Sequence, residues 1–290
     1  MTTATKIVLS ASRRTDIPAF YMPWFMAHIE KGEFTVVNPF NRRESVVPAT
    51  PDHVHSIVFW SKNFGTFIKE DYGQQLQKNG YNLFFNFTIN SDAPLLEPHV
   101  PPLTDRLVQL GELCRRFTPR AIHWRFDPIC YYKSGGDGIR NNLQDFDRIS
   151  EKAAEFGISR CITSFMDDYP KIRKRIGRRP KFGFVDSPLD DKISQILSME
   201  EKLAEKNIRL FTCCEKELVN ALPNDSAVMP SSCIPNDLLV QLFGGDLSLK
   251  QDRGQRMAAG CGCKQSTDIG SYQQHPCYHN CLFCYANPSA

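Results

Sequence analysis

The sequence predicts an α/β fold: a partial (β/α)6 barrel of the TIM type, followed by a cysteine-rich extension. Three observations carry this expectation. Short runs rich in β-branched and aromatic residues alternate with amphipathic segments through the first three-quarters of the chain. Gly80, Gly157 and Asn207 stand just before three of those runs, where a residue tolerating positive φ ends the preceding helix. Eight of the eleven cysteines fall between residues 213 and 284, after the alternation has faded.

Taken in order, strands are expected at 7–12, 56–60, 82–88, 121–126, 159–164 and 208–212. The first rests on I-V-L, the second on I-V-F-W, the third on L-F-F-N-F and the fourth on I-H-W-R-F; C-I-T and I-R-L-F supply the last two. Helices are expected at 21–30, 64–78, 105–117, 143–156 and 192–206, the third marked by Leu107, Leu110 and Leu113 at threefold spacing. Repeating strand–helix units imply a parallel sheet with right-handed crossovers. Six units match the partial barrel, and a doubly wound open sheet gives the same pattern. After Glu215 the periodicity weakens, with a loop-rich stretch at 223–235, a short helix at 237–243, and glycine, cysteine and polar residues beyond. Residues 1–215 are therefore expected to form the barrel. Residues 216–290 would be an extension folding over its mouth, with too little apolar content for a core of its own and helped to fold by metal.

Composition narrows the function. A hydrophobic share of 41% with 11% aromatics suits a packed globular protein and argues against disorder. A formal charge of +3 is too small at this length to argue for a nucleic-acid partner. No apolar run approaches the roughly 18–20 residues of a membrane span, and the first apolar segment is short for a secretory signal, so a cytoplasmic protein is expected. Reduced cytosolic thiols point to metals rather than disulfides. Cys114, Cys130 and Cys161 are scattered and read as buried packing residues.

The sharpest motif is C-Y-H-N-C-L-F-C, with Cys277, Cys281 and Cys284 on one short loop. Three thiolates can reach three irons of a [4Fe–4S] cube and leave the fourth open to a small molecule. The competing reading is zinc, held by the three cysteines with His279 or His275, although only Cys281 and Cys284 give the paired C-x2-C spacing of structural zinc sites.

This octet, with Phe283 before its last cysteine, resembles the radical S-adenosylmethionine (SAM) signature. The resemblance implies that the open iron binds the amino and carboxylate groups of SAM and that reductive cleavage yields a 5′-deoxyadenosyl radical. It also implies that the Phe283 backbone positions adenine. The cysteines of that superfamily normally follow the first barrel strand, and here they come late in the chain. The longer stretch from Cys261 to Asn287, with S-A-S-R-R-T-D-I-P at 10–18, resembles an uncharacterised bacterial family. That family is known only as a domain of unknown function and carries a radical-SAM-like cluster at its C-terminus. It brings no substrate with it.

Two further sets join the triad. Cys261 and Cys263 form a compact C-x-C pair that, with Cys233 and either Cys214 or Cys213, would complete a four-thiolate auxiliary site; ordinary packing is the alternative. Polar residues also gather at the expected strand ends: Arg13, Arg14 and Asp16; Ser61, Lys62 and Asn63; Asn86 and Thr88; Arg125 and Asp127; Ser164 and Asp167. Active sites of parallel α/β folds lie at that edge. Arg13, Arg14 and Arg125 are candidates for SAM's carboxylate, and Asn86 and Asp127 for its ribose, the competing reading being a structural ring of ion pairs. Asp268 either orients the cysteine loop or starts a turn; Tyr272 and Tyr285 either shield the cluster or pack a core. Seven positive charges in residues 171–181 suggest a phosphate-contacting patch or a solvated helix face, and His53 and His55 read as structural. The expected function is a radical SAM enzyme on an unknown substrate, reduced by a flavodoxin or ferredoxin. A nucleic-acid lesion is a substrate by analogy only. The alternative is a non-enzymatic iron–sulfur or zinc protein that binds nucleic acid.

Overall fold

The structure is a computed structural model and describes residues 5–38, 41–136 and 138–288. Its main sheet contains β1 (Ile7–Ala11), β2 (Val54–Ser61), β3 (Asn82–Thr88), β4 (Ile122–Ile129), β5 (Arg160–Phe165), β6 (Arg209–Thr212), β7 (Met229–Pro230) and β8 (Thr267–Asp268). All neighbouring pairs are parallel, in the order β7-β6-β5-β4-β3-β2-β1-β8. The helices are α1 (Ile17–Phe20), α2 (Met22–Lys31), α3 (Gly65–Lys69), α4 (Tyr72–Lys78), α5 (Leu103–Arg116), α6 (Phe146–Glu155), α7 (Pro170–Ile176), α8 (Leu189–Ala204), α9 (Lys216–Ala221) and α10 (Asn236–Phe243). None of the helices among the described residues is long and apolar enough to cross a membrane.

β1 to β6 stand side by side in chain order, without the reversal that marks a doubly wound sheet. Among the described residues the sheet is open, and both its edges, β7 and β8, come from residues 216–290. They are two residues long and sit in turn-rich chain. Instead of leaving a hollow, residues of this segment cover one face of the sheet.

The two faces differ because side chains alternate along each strand. One face sends Leu9, Ile57, Phe59, Phe85, Phe87, Trp124 and Phe126 into a single core with apolar residues of α1 to α6, α8 and α9. The other presents Val8, Val58 and Phe84 to a smaller core closed by Ile234, Leu238, Leu239 and Leu247, with Cys233, Cys261 and Cys263 beside them. The six expected strands and five of the six expected helices are present. The helix expected over 64–78 is split into α3 and α4 because Asp71 takes a left-handed φ of 51° between them. Outside the expectation lay the antiparallel pair Glu33–Val37 with Glu44–Pro48, the three-stranded sheet of Tyr131–Ser134, Arg140–Asn141 and Phe182–Val185, the short helices α1 and α9, and the edge strands β7 and β8. α7 supplies the helix that the basic run allowed.

Candidate functional site

The 277–284 loop lies against the loops that leave the carboxyl ends of β1, β2, β3 and β5. Leu282 N–H donates to Leu96 O at 2.8 Å, and Tyr21 Oη donates to Pro276 O at 2.6 Å. His279 is buried with Nε2 2.8 Å from Asp16 Oδ2 and Nδ1 3.2 Å from His99 O. Both its nitrogens therefore have protein partners. Arg175 of α7 supplies the main clamp: it donates to Leu282 O at 2.7 Å, Cys284 O at 3.1 Å and Asn287 O at 3.2 Å. Asn287 in turn donates to Cys281 O at 3.0 Å. Three of these four carbonyls belong to the stretch 281–284, so its backbone is fixed before any ligand arrives.

Cys281 and Phe283 join Leu96, Cys130 and Tyr132 in an apolar cluster that Cys284 borders. Burial raises all three thiols, Cys277 to about 12, and each lies close enough to feel another's charge. Lys62 opposes this and favours the thiolate at Cys281, Cys284 and Cys277. Its ammonium is buried, 2.5 Å from Glu97 Oε1, and lies 5.3 Å from the Phe283 ring centre. Burial alone would lower Lys62, but Glu97 and then Cys281 hold it above its ordinary value. Soft donors of one loop, a dry wall and a fixed cation suit a thiolate-bound iron–sulfur cluster.

The second cysteine set forms a ring on the sheet face opposite the main core. Cys213 Sγ lies 3.8 Å from Cys214 Sγ and 3.7 Å from Cys233 Sγ. Cys261 and Cys263 belong with Cys233 to the same small core, against which Cys213 and Cys214 pack, so that the five thiols gather in one ring. Cys263 is lowered by its contacts with Cys233 and Cys261, with Arg13 adding to the effect, whereas Cys213 is raised to about 12. No set of three or more His, Cys, Asp or Glu side chains among the described residues is arranged as the ligands of a single metal ion.

The polar strand ends are drawn largely to this ring. Arg125 Nη1 donates to Cys233 Sγ, and Arg125 Nη2 donates to Asp127 Oδ2. Asp127 also accepts from Ser164 and is held in its charged form by Arg125, Ser164 and Lys62, against its burial. Arg13 faces Cys263, and both Arg13 and Arg125 lie over Trp60, 5.5 and 5.4 Å from its ring centre. Asn86 is fully buried and donates to Cys233 O at 2.9 Å. Arg14 turns instead to the segment after β8, donating to Gly270 O at 2.9 Å. Asp268 accepts from Ser10 Oγ, Ser12 Oγ, Arg13 N and Gly270 N at 2.7–3.1 Å, so it both turns the chain and ties β8 to β1.

The structure adds residues that the sequence reading did not single out. Glu97, Trp60 and Arg175 are the main ones, together with Glu215, whose burial raises its carboxyl to about 7. Arg175 had a signal: it stands three residues after Ile172 on the same buried face of α7, so one charge of the basic run points inward. Tyr285 Oη donates to Arg13 O at 3.0 Å, which links the residue after Cys284 to the arginine beside Cys263. His55 contacts Ser56 Oγ and Gly244 O, the structural role expected of it.

A family model described as a domain of unknown function, DUF1848, matches residues 8–286 and so spans both cysteine groups. No curated protein matches the chain.

Proposed function

We propose that this chain, which belongs to the DUF1848 family, is a radical SAM enzyme whose cluster sits on Cys277, Cys281 and Cys284. The observation that carries the reading is that these three thiols lie within reach of one another's charge at the carboxyl ends of parallel strands, beside the buried Lys62. A [4Fe–4S] cluster with SAM on its open iron would supply an electron to the sulfonium and a 5′-deoxyadenosyl radical to the substrate. The chain's own residues do the rest. Arg175, Asn287 and Asp16, the last through His279, hold the loop in place. Lys62 favours the thiolate form that metal binding requires. Leu96, Tyr132 and Phe283 keep water from the sulfurs.

SAM's polar groups would meet Asp127, Arg13, Arg14, Asn86 and Arg125, of which Asp127 feels the charge of Lys62, the cation beside the triad. Strands β1 to β6 run in chain order, as the strands of a partial (β/α)6 barrel do, and this supports that finer description of the scaffold. The substrate is left open, and a flavodoxin- or ferredoxin-type protein is the proposed reductant. The zinc alternative loses one of its fourth ligands, because His279 already has a partner on each nitrogen.

Anaerobically reconstituted protein should release 5′-deoxyadenosine from SAM when given a strong reductant. Cys281→Ala should abolish that release and Cys114→Ala should leave it intact. Bound iron with no cleavage in the parent would favour the non-enzymatic reading, and equal cleavage by both variants would overturn the site.

A further inference from the structure

We infer that Cys214, Cys233, Cys261 and Cys263 hold a second iron–sulfur cluster, on the sheet face opposite the main core. The inference stands apart from SAM chemistry at the triad, since it rests on different residues. Three chain segments that are distant in sequence bring five sulfurs into one ring: the end of β6, the turn after β7 and the stretch before β8. Free cysteines that merely fill a core have no reason to seek one another.

The surroundings are built for an anion. Arg125 donates to Cys233, Arg13 faces Cys263, and Arg256 acts on Cys214. Arg125 and Arg256 are also paired with Asp127 and Asp167, and a cluster on four thiolates, which carries net negative charge, would add a second partner for each. A donor at the ring, Arg13 Nη2, is buried without a hydrogen-bond partner. Such a group is costly, so its position beside the sulfurs points to an occupant. The segment itself also needs one: around Cys261 and Cys263 it is bends, turns and isolated bridges, with apolar support from one short helix. Metal binding would contribute to its folding directly.

Cys214 rather than Cys213 completes the set. Its φ of 61° is left-handed, a conformation costing a non-glycine residue roughly 1–2 kcal/mol, and from there Cys214 feels the charge of Cys261. Cys213 keeps its place between Cys214 and Cys233 as a fifth thiol. With sulfurs in contact the ring is closed on itself, and loading an inorganic core requires them to part.

The test uses the full chain carrying Cys277→Ala, Cys281→Ala and Cys284→Ala, reconstituted anaerobically with ferrous iron and sulfide. It should bind about four irons and about four sulfides per chain, with visible absorbance that bleaches on reduction. Adding Cys261→Ala and Cys263→Ala should remove that iron, Cys214→Ala should lower it at least about fivefold, and Cys213→Ala should leave it. If the triple variant proves unstable by circular dichroism, the Cys261→Ala, Cys263→Ala double variant of the parent answers the same question by falling from about eight irons to about four. A folded triple variant that is iron-free, that binds only zinc, or that shows a Cys213–Cys214 disulfide by mass spectrometry overturns the inference. Loss of iron on Cys213→Ala with retention on Cys214→Ala overturns the ligand choice. Retained iron without SAM cleavage in the parent would instead count against the proposed function alone.

Discussion

Cys277, Cys281 and Cys284 come from one loop and are positioned from outside. The five cysteines of the ring come from three segments and are positioned by one another and by arginines. The loop takes its shape from carbonyls held by Arg175 and Asn287, so its sulfurs are presented by a rigid backbone. In the ring the side chains themselves make the contacts, and the backbone bends to suit them, as the left-handed Cys214 does. One region is a ready cradle and the other a knot of side chains. The difference teaches that a compact spacing in sequence and a compact cluster in space are separate signals, and this molecule contains one of each.

The largest expected effect lies on the loop side. Lys62→Met strands Glu97 in a dry site and should cost about 3–5 kcal/mol in denaturant unfolding, with Glu97→Gln in the same chain restoring part of it. It should lower iron at the triad while ring iron persists; equal loss at both would erase the distinction between the regions. Arg175→Ala removes three charge-assisted bonds and should cost about 2–4 kcal/mol by the same measurement, with lysine a poor substitute at a branched donor. SAM cleavage should fall at least about tenfold, because the loop is the part Arg175 holds.

The ring face should reveal itself through pH. His123 is fully buried there with no hydrogen-bond partner on either nitrogen, and burial lowers its pKa to about 3. Arg160 and Arg125 push the same way, so the folded protein keeps His123 neutral while the unfolded chain takes up a proton near pH 6.5. Stability is therefore fully present above that value and is lost as pH falls towards 3. Between pH 7 and pH 5 the parent should lose about 1–2 kcal/mol more than His123→Gln does in urea titrations. An equal loss would place the acid sensitivity elsewhere. The smallest effect tests the link between the regions: Tyr285→Phe deletes its bond to Arg13 O and should cost about 0.5–1.5 kcal/mol.

Much of the scaffold was legible because its strands are short apolar runs bounded by helix-ending residues, as at Gly80 and Gly157, both with positive φ. The cysteine loop was legible because its spacing is local. The ring was legible only as a list of candidates, since nothing in the sequence says that Cys214 will turn towards Cys261. Arg13 and Arg125 were expected near a ligand carboxylate, and nothing in the sequence says that they also reach the sulfurs of Cys263 and Cys233. β7 and β8 were invisible because two residues carry no period. Glu97 gave no sign because its partner, Lys62, lies on a different loop.

The hydrogen bond from Ser10 to Asp268 joins positions 258 residues apart. During synthesis at about 5–20 residues per second, β1 leaves the ribosome roughly 13–50 seconds before the strand that covers its outer edge exists. Until then that edge offers unpaired amides to any passing chain, a standing invitation to aggregate or to a chaperone. Cys277, Cys281 and Cys284 are translated after β8, so the cysteine loop takes its place only as the sheet is being capped.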